Sequence, residues 1–237
     1  MIALLLAAGL AGSSQVPCAA TTAQPPSFDA GKLRQGRFTY TITEDGKPAG
    51  QFVLTIRRAA DGSLRLAGDA VGSDQHWESE TTRSFKPKKA ALSLIRHGQP
   101  YRMELVYSAH RVTATETTGQ APHAQRTIRQ IAIAAATVDQ RIDWASVMAT
   151  NLTPGQAAAY RVFDALTGSS PLSVRAASAG VMASPLGDRA AIRLEYQVCK
   201  RGQAEPYVVY ATREAPRVML REDLRGHEVS ILTRIEP

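Results

Sequence analysis

The chain has 237 residues, 44% hydrophobic and 21% charged, which excludes a domain too small to bury a core. Aromatic residues make up only 6%, so the core must rest on Val, Ile, Leu and Ala. The formal net charge is +7 and no charged side chain stands in the first 24 residues, so the whole excess belongs to the rest of the chain and favours contact with anionic surfaces.

Residues 1–24 read as a signal peptide. Their apolar run from Ile2 to Ala11 has the length of a signal-peptide core and is too short to span a bilayer, although no Lys or Arg precedes it. Cleavage points are expected at Cys18-Ala19-Ala20 or over Ala20 to Ala23. Gln15-Val16-Pro17 before Cys18 is unlike a lipobox, so lipidation is not expected. Loss of Cys18 leaves Cys199 alone in an alternating strand, a packed thiol with no intrachain disulfide. Residues 25–35 form a polar, Pro-bearing lead-in expected to be disordered, and residues 36–237 a single β-rich domain.

From Gly36 to Arg58 a hairpin is expected, with Phe38, Tyr40 and Ile42 alternating against threonines, a turn over residues 45–50, and Phe52, Leu54 and Ile56 returning. Strands follow over 64–72 and 75–85, Lys86-Pro87-Lys88-Lys89 breaks the pattern, and strands resume over 92–96, 101–108 and 111–117. Residues 118–125 read as a loop, and Ile128, Ile131 and Ile133 lead through alanines towards a helix. That helix is predicted over 138–152. Val138, Ile142, Ala145, Ala149 and Leu152 share one face, Arg141, Trp144 and Met148 widen it, Thr137 and Gln140 have capping-box spacing, and Thr153-Pro154-Gly155 stops it. Strands over 158–163, 172–176, 190–200, 207–213, 217–223 and 227–235 complete the chain. Inward candidates are Ile192, Leu194, Tyr196 and Val198, then Val218 and Leu220, then Val229 and Ile231, with Arg193, Glu195, Arg217 and Arg221 outward. The expected fold is mainly β, an antiparallel curved sheet or incomplete barrel packed on the one central helix.

Phosphate loops, nucleophile elbows and zinc helices are absent from the sequence, so no catalytic residue, metal site or cofactor is assigned. His76 and Glu78, two apart on a strand, form an acid/base pair only if a third group joins them. Asp139 and Asp143 stand one helical turn apart; Asp139 is explained by the helix dipole. Lys86, Lys88 and Lys89 read as a solvated basic turn. Trp144, Met148, Ile142 and Tyr196 are the candidate wall of an apolar ligand cavity, with solid core as the simpler reading.

The first strand Phe38-Thr39-Tyr40-Thr41-Ile42, the turn into Ala49-Gly50, the Val138-Asp139 segment, Val162-Phe163-Asp164 and the late Tyr207 strand followed by Pro216 to Arg221 together resemble the exported bacterial proteins grouped as domain of unknown function 3108. The resemblance implies a periplasmic β-rich fold and no known activity. Its sheet-plus-helix outline is similar in turn to periplasmic lipoprotein carriers. The expectation is an exported, periplasmic, non-enzymatic protein that binds a lipid or other amphipathic envelope component, with basic residues meeting anionic headgroups. The alternatives are a protein-protein interaction module of the envelope, which uses an exposed sheet edge, and a hydrolase. Nucleic acid is not expected as a partner, nor is a transmembrane segment.

Overall fold

The computed structural model describes Cys18 and residues 25–237. Fifteen strands run in chain order: β1 (Gly36–Glu44), β2 (Lys47–Arg58), β3 (Leu64–Ala70), β4 (His76–Thr81), β5 (Pro87–Arg96), β6 (Gln99–Tyr107), β7 (Arg111–Thr118), β8 (Gln125–Ala132), β9 (Thr137–Asp139), β10 (Ala157–Asp164), β11 (Gly168–Met182), β12 (Arg189–Lys200), β13 (Gln203–Thr212), β14 (Met219–Leu224) and β15 (Glu228–Glu236). Among the described residues the single α-helix, α1, spans Asp143–Met148. All strands join one open sheet in the order 8-7-6-5-4-3-2-1-15-14-13-12-11-10-9, so the two ends of the domain pair mid-sheet while β8 and β9, neighbours in sequence, form its opposite edges.

Sequential antiparallel pairing follows from short turns. Glu44 faces Lys47, Arg96 faces Gln99 and Lys200 faces Gln203 across two-residue loops. Asp45-Gly46, His97-Gly98 and Arg201-Gly202 all hold positive φ, the geometry whose twist matches that of the flanking strands. The sheet curls so that its two halves touch: Ser79 of β4 donates to Asp139 Oδ2 of β9 at 3.1 Å, and Tyr107 of β6 meets Phe163 of β10 edge-on at 6.0 Å. The main core lies in this concavity, where Phe38, Tyr40, Leu54, Trp77, Trp144, Leu194 and Tyr207 are each at most 1% exposed.

The predicted central helix is shorter than the apolar period implied. Val138 and Asp139 instead pair in parallel with Val162 and Phe163, Gln140–Ile142 form a 3₁₀ turn, and only Asp143–Met148 are α-helical. The start shifts because the Asp139 side chain accepts the Arg141 N–H at 3.0 Å, the role expected of Thr137, whose hydroxyl donates to Ala134 O. Every residue from Thr137 to Thr150 is buried, so the stripe reported a segment enclosed on all sides and not one helical face. Arg217 Nη1 caps the far end through Met148 O (2.7 Å) and Thr150 O (3.2 Å), so this arginine, expected outward, is buried.

Four further expectations are corrected. Pro87, Lys88 and Lys89 open β5 in place of breaking the pattern. Residues 125–132 are a strand, not a passage into the helix. A register shift between Thr39 and Tyr40 turns Ser230 and Leu232 inward, leaving Ile231 44% exposed. The lead-in is ordered from Phe28 to Leu33: Phe28 bridges to Thr150, Leu33 to Arg217, and the Asp29 and Ala30 amides donate to Ala149 O and Arg83 O. Its apolar residues Ala30 and Leu33 are fully buried where α1 ends, which offsets the cost of fixing the chain there.

The leader expected over 1–24 lies outside the described residues, Cys18 excepted. Cys18 is joined to Cys199 by a disulfide with Cα atoms 5.7 Å apart, so Cys199 is not a lone packed thiol. Leu194, Tyr196 and Val198 point into the core; alternation puts Cys199 on the other, half-buried face, where a partner can reach it.

Candidate functional site

The four residues expected to wall a cavity, Trp144, Met148, Ile142 and Tyr196, are all 3% exposed or less. Trp144 lies against a cavity of about 10 Å³, together with Tyr40, Phe52, Glu222, Glu228 and Ser230. Space of that size suits one water molecule. Its indole N–H donates to Arg141 O at 3.2 Å.

Beside it lies a pair of buried carboxyls. The Tyr196 hydroxyl stands 3.4 Å from Asp143 Oδ1 and 3.2 Å from Glu222 Oε1. The Trp144 backbone N–H donates to Asp143 Oδ1 at 2.7 Å, and Asp143 Oδ2 has no hydrogen-bond partner. Burial, then the neighbouring Glu222 charge, push the Asp143 carboxyl up to about 7, and burial raises Glu222 too. Asp143 therefore pairs with a residue of a distant strand. Asp139, the partner weighed from spacing, holds Arg141 at 3.0 Å instead. Inward Leu220 made Glu222 findable by alternation; its meeting with Asp143 required the fold.

His76 sits on the outer surface of the sheet. Its Nδ1 is 2.7 Å from Asp69 Oδ1 and its Nε2 3.2 Å from Glu78 Oε1, while Arg65 holds Glu78 at 2.8 Å. Burial works against the charged ring, but the two carboxylate hydrogen bonds outweigh it, and the pKa lies above the ordinary histidine value. Ser93 pairs across the ladder from His76 and Asp69 flanks the other side, a row resembling a nucleophile-base-acid order. With Nε2 turned to Glu78, however, neither nitrogen is left to take a proton from Ser93. The arrangement is a surface ion network. Among the described residues no group of three or more His, Cys, Asp or Glu stands close enough to hold a metal ion, and no helix is long and apolar enough to cross a membrane.

The sheet edges differ sharply. β9 is wholly buried, whereas in β8 every residue except half-buried Ile131 is exposed, Ile128 by 57%. The Ile133 N–H donates to His110 O and the Ser108 N–H to Arg111 O. Carried along antiparallel ladders, this parity turns the N–H and C=O of Gln125, Thr127, Arg129 and Ile131 towards β7. Those of Arg126, Ile128, Gln130 and Ala132 point away from the sheet. Arg129 is fixed by ion pairing to Glu116 and by donation to Ala165 O, and Arg111 donates to Gln130 Oε1 at 3.0 Å. Residues 86–132 carry eight Lys or Arg against Glu104 and Glu116, hence +6 of the chain's +7. Sequence reading missed this strand because the spacing of Ile128 and Ile131 imitates a helical period.

No curated protein and no solved structure matches the chain, so the expected likeness to periplasmic lipoprotein carriers is not confirmed. The profile described as Protein of unknown function (DUF3108) matches residues 27–236, and the chain belongs to that family.

Proposed function

We propose that this chain is an exported, non-enzymatic binding protein of the cell envelope that docks a partner protein along the open edge of β8. The observation that carries the reading is the exposed eight-residue edge strand, whose outer backbone groups have no strand beside them among the described residues. Sheets ordinarily shorten or cover such edges, and recognition by strand addition uses them. Export draws on the leader sequence and on the Cys18–Cys199 disulfide, a bond that persists in oxidising compartments such as the periplasm. Under this reading the signal peptide is cut before Cys18.

The lipid reading ranks second, favoured by the apolar wall of Tyr40, Phe52 and Trp144. A drug-sized or acyl ligand needs roughly 300 Å³ or more, against about 10 Å³ beside Trp144. A hydrolase reading would need His76 to have a free nitrogen facing a substrate.

The test is a photo-crosslinking amino acid placed in living cells at Ile128 and, as a control on the outer sheet surface, at Thr41. A discrete protein adduct from position 128 and none from 41 is expected. Adducts from neither position, or equally from both, would refute edge docking. Mass spectrometry of the purified protein checks export: its N-terminus should lie at or before Cys18 and after the apolar run.

A further inference from the structure

Resting on the reading of β8 as a docking edge, we infer that its partner is an acidic, extended segment of another protein that adds to β8 as a further antiparallel strand, placing an Asp or Glu opposite Arg126. Three features identify this occupant. Free N–H and C=O groups at Arg126, Ile128, Gln130 and Ala132 repeat at every second residue, a spacing that an extended backbone matches and a lipid headgroup layer does not. The side chains of those same residues share the outer face of the sheet, where Ile128 offers an apolar contact between a cationic and a polar neighbour. Arg126 stands in a lateral row with Thr117, Arg102 and Ser93, and it has no ion-pair partner among the described residues, whereas Arg102 holds Glu104 and Arg129 holds Glu116.

Charge decides between the remaining occupants. A second copy of the chain would bring a lobe of +6 against another, with Arg126 and Arg129 on both strands. Like charges across a ladder are destabilising, and this strand is thereby protected from pairing with itself. An acidic segment reverses the sign of the same interaction and gains steering from the basic lobe. Register follows from the antiparallel geometry. With the partner's apolar residue opposite Ile128, the residue two positions later in the partner faces Arg126, and the one two positions earlier faces Gln130. The recognised pattern is therefore an apolar residue followed two positions on by Asp or Glu, flanked by residues that favour strands.

The experiment selects random displayed peptides of about twelve residues, long enough to span β8, on the whole disulfide-intact protein. The peptides recovered are then measured against Ile128→Pro and Arg126→Glu. Proline at 128 removes an outward N–H and leaves the β7 ladder intact; unchanged thermal midpoints confirm that both variants fold. The expected result is enrichment of the apolar-x-acidic pattern, binding weakened about tenfold or more by Ile128→Pro and about fivefold by Arg126→Glu, and weaker binding at high salt. Neutral or basic peptides that still depend on Ile128 would overturn the acidic partner and leave edge docking standing. Peptides indifferent to Ile128→Pro, or no enrichment at all, would overturn both. Vesicles containing phosphatidylglycerol are the parallel probe: retention on them that survives Ile128→Pro, with no peptide recovered, would assign the basic lobe to an anionic lipid surface instead.

Discussion

The hydroxyl of Tyr196 lies 3.2 Å from Glu222 Oε1 in the centre of the core, and the same hydroxyl also reaches Asp143 of α1. Two carboxyls thus share one neutral donor, and no Lys or Arg forms an ion pair with either among the described residues.

This makes stability fall with rising pH. The Asp143 pKa is raised from 3.8 to about 7 in the folded protein, so between those values the native state holds a proton that the unfolded chain releases. The stabilisation is complete below the unfolded value and is lost as pH rises through about 7; Glu222 acts in the same direction. Asp143→Asn keeps an acceptor for the Trp144 N–H and removes the titration. At about pH 8 it should stabilise by on the order of 3 kcal/mol and flatten the slope of urea-unfolding free energy against pH.

Gly68 of β3 lies under the stacked rings of Phe52 and Trp77, whose centroids are 6.4 Å apart. A Cβ built at Gly68 collides with Phe52 Cζ and Trp77 Nε1. Gly68→Ala should therefore cost about 1–3 kcal/mol through overpacking, read as a lower urea midpoint at unchanged slope. A neutral substitution would mean that the ring pair is loosely held.

Phe28 contributes to the core although it precedes the first strand. Its ring meets Tyr160 edge-on at 5.0 Å and Phe85 at 5.7 Å. Phe28→Ala should cost about 2–4 kcal/mol in thermal or urea unfolding. A chain begun at Gly36 should be less stable still, since it also loses Ala30 and Leu33.

The Cys18–Cys199 link closes 181 residues of sequence. By loop-closure entropy its reduction, or Cys199→Ser, should lower stability by about 2–4 kcal/mol in a chain that retains Cys18. Unfolding with and without dithiothreitol measures the difference, and identical curves would show that the link is not formed.

His76→Ala should change stability by less than about 1 kcal/mol, because the ion network around it is more than a third exposed. Because the ring's pKa is raised, whatever stability it adds is present at acidic pH and lost as pH rises through that value.

Alternation made most of the sheet legible: Phe38, Tyr40, Ile42 and the Ile192 to Val198 set all point inward as their period implies. The central segment misled because complete burial erases the contrast that separates a helical face from a buried strand, and Asp139 supplied a cap two residues later than Thr137. Arg217 looked solvated until α1 offered it carbonyls to cap. Ser230 and Ile231 exchanged faces because the register shift leaves Thr233 of the same strand unpaired between Leu232 and Arg234, which no local pattern encodes. The open edge was illegible for a related reason: β8 is exposed on both faces, so its residues carry no alternation at all.

Amide exchange by NMR on the uniformly labelled protein tests the open edge most directly. Protection should alternate along β8, with the amides of Arg126, Ile128 and Gln130 exchanging fast and those of Thr127, Arg129 and Ile131 protected. Uniform protection across 125–132 would mean that the outer side of β8 is already covered, and would contradict a free docking edge.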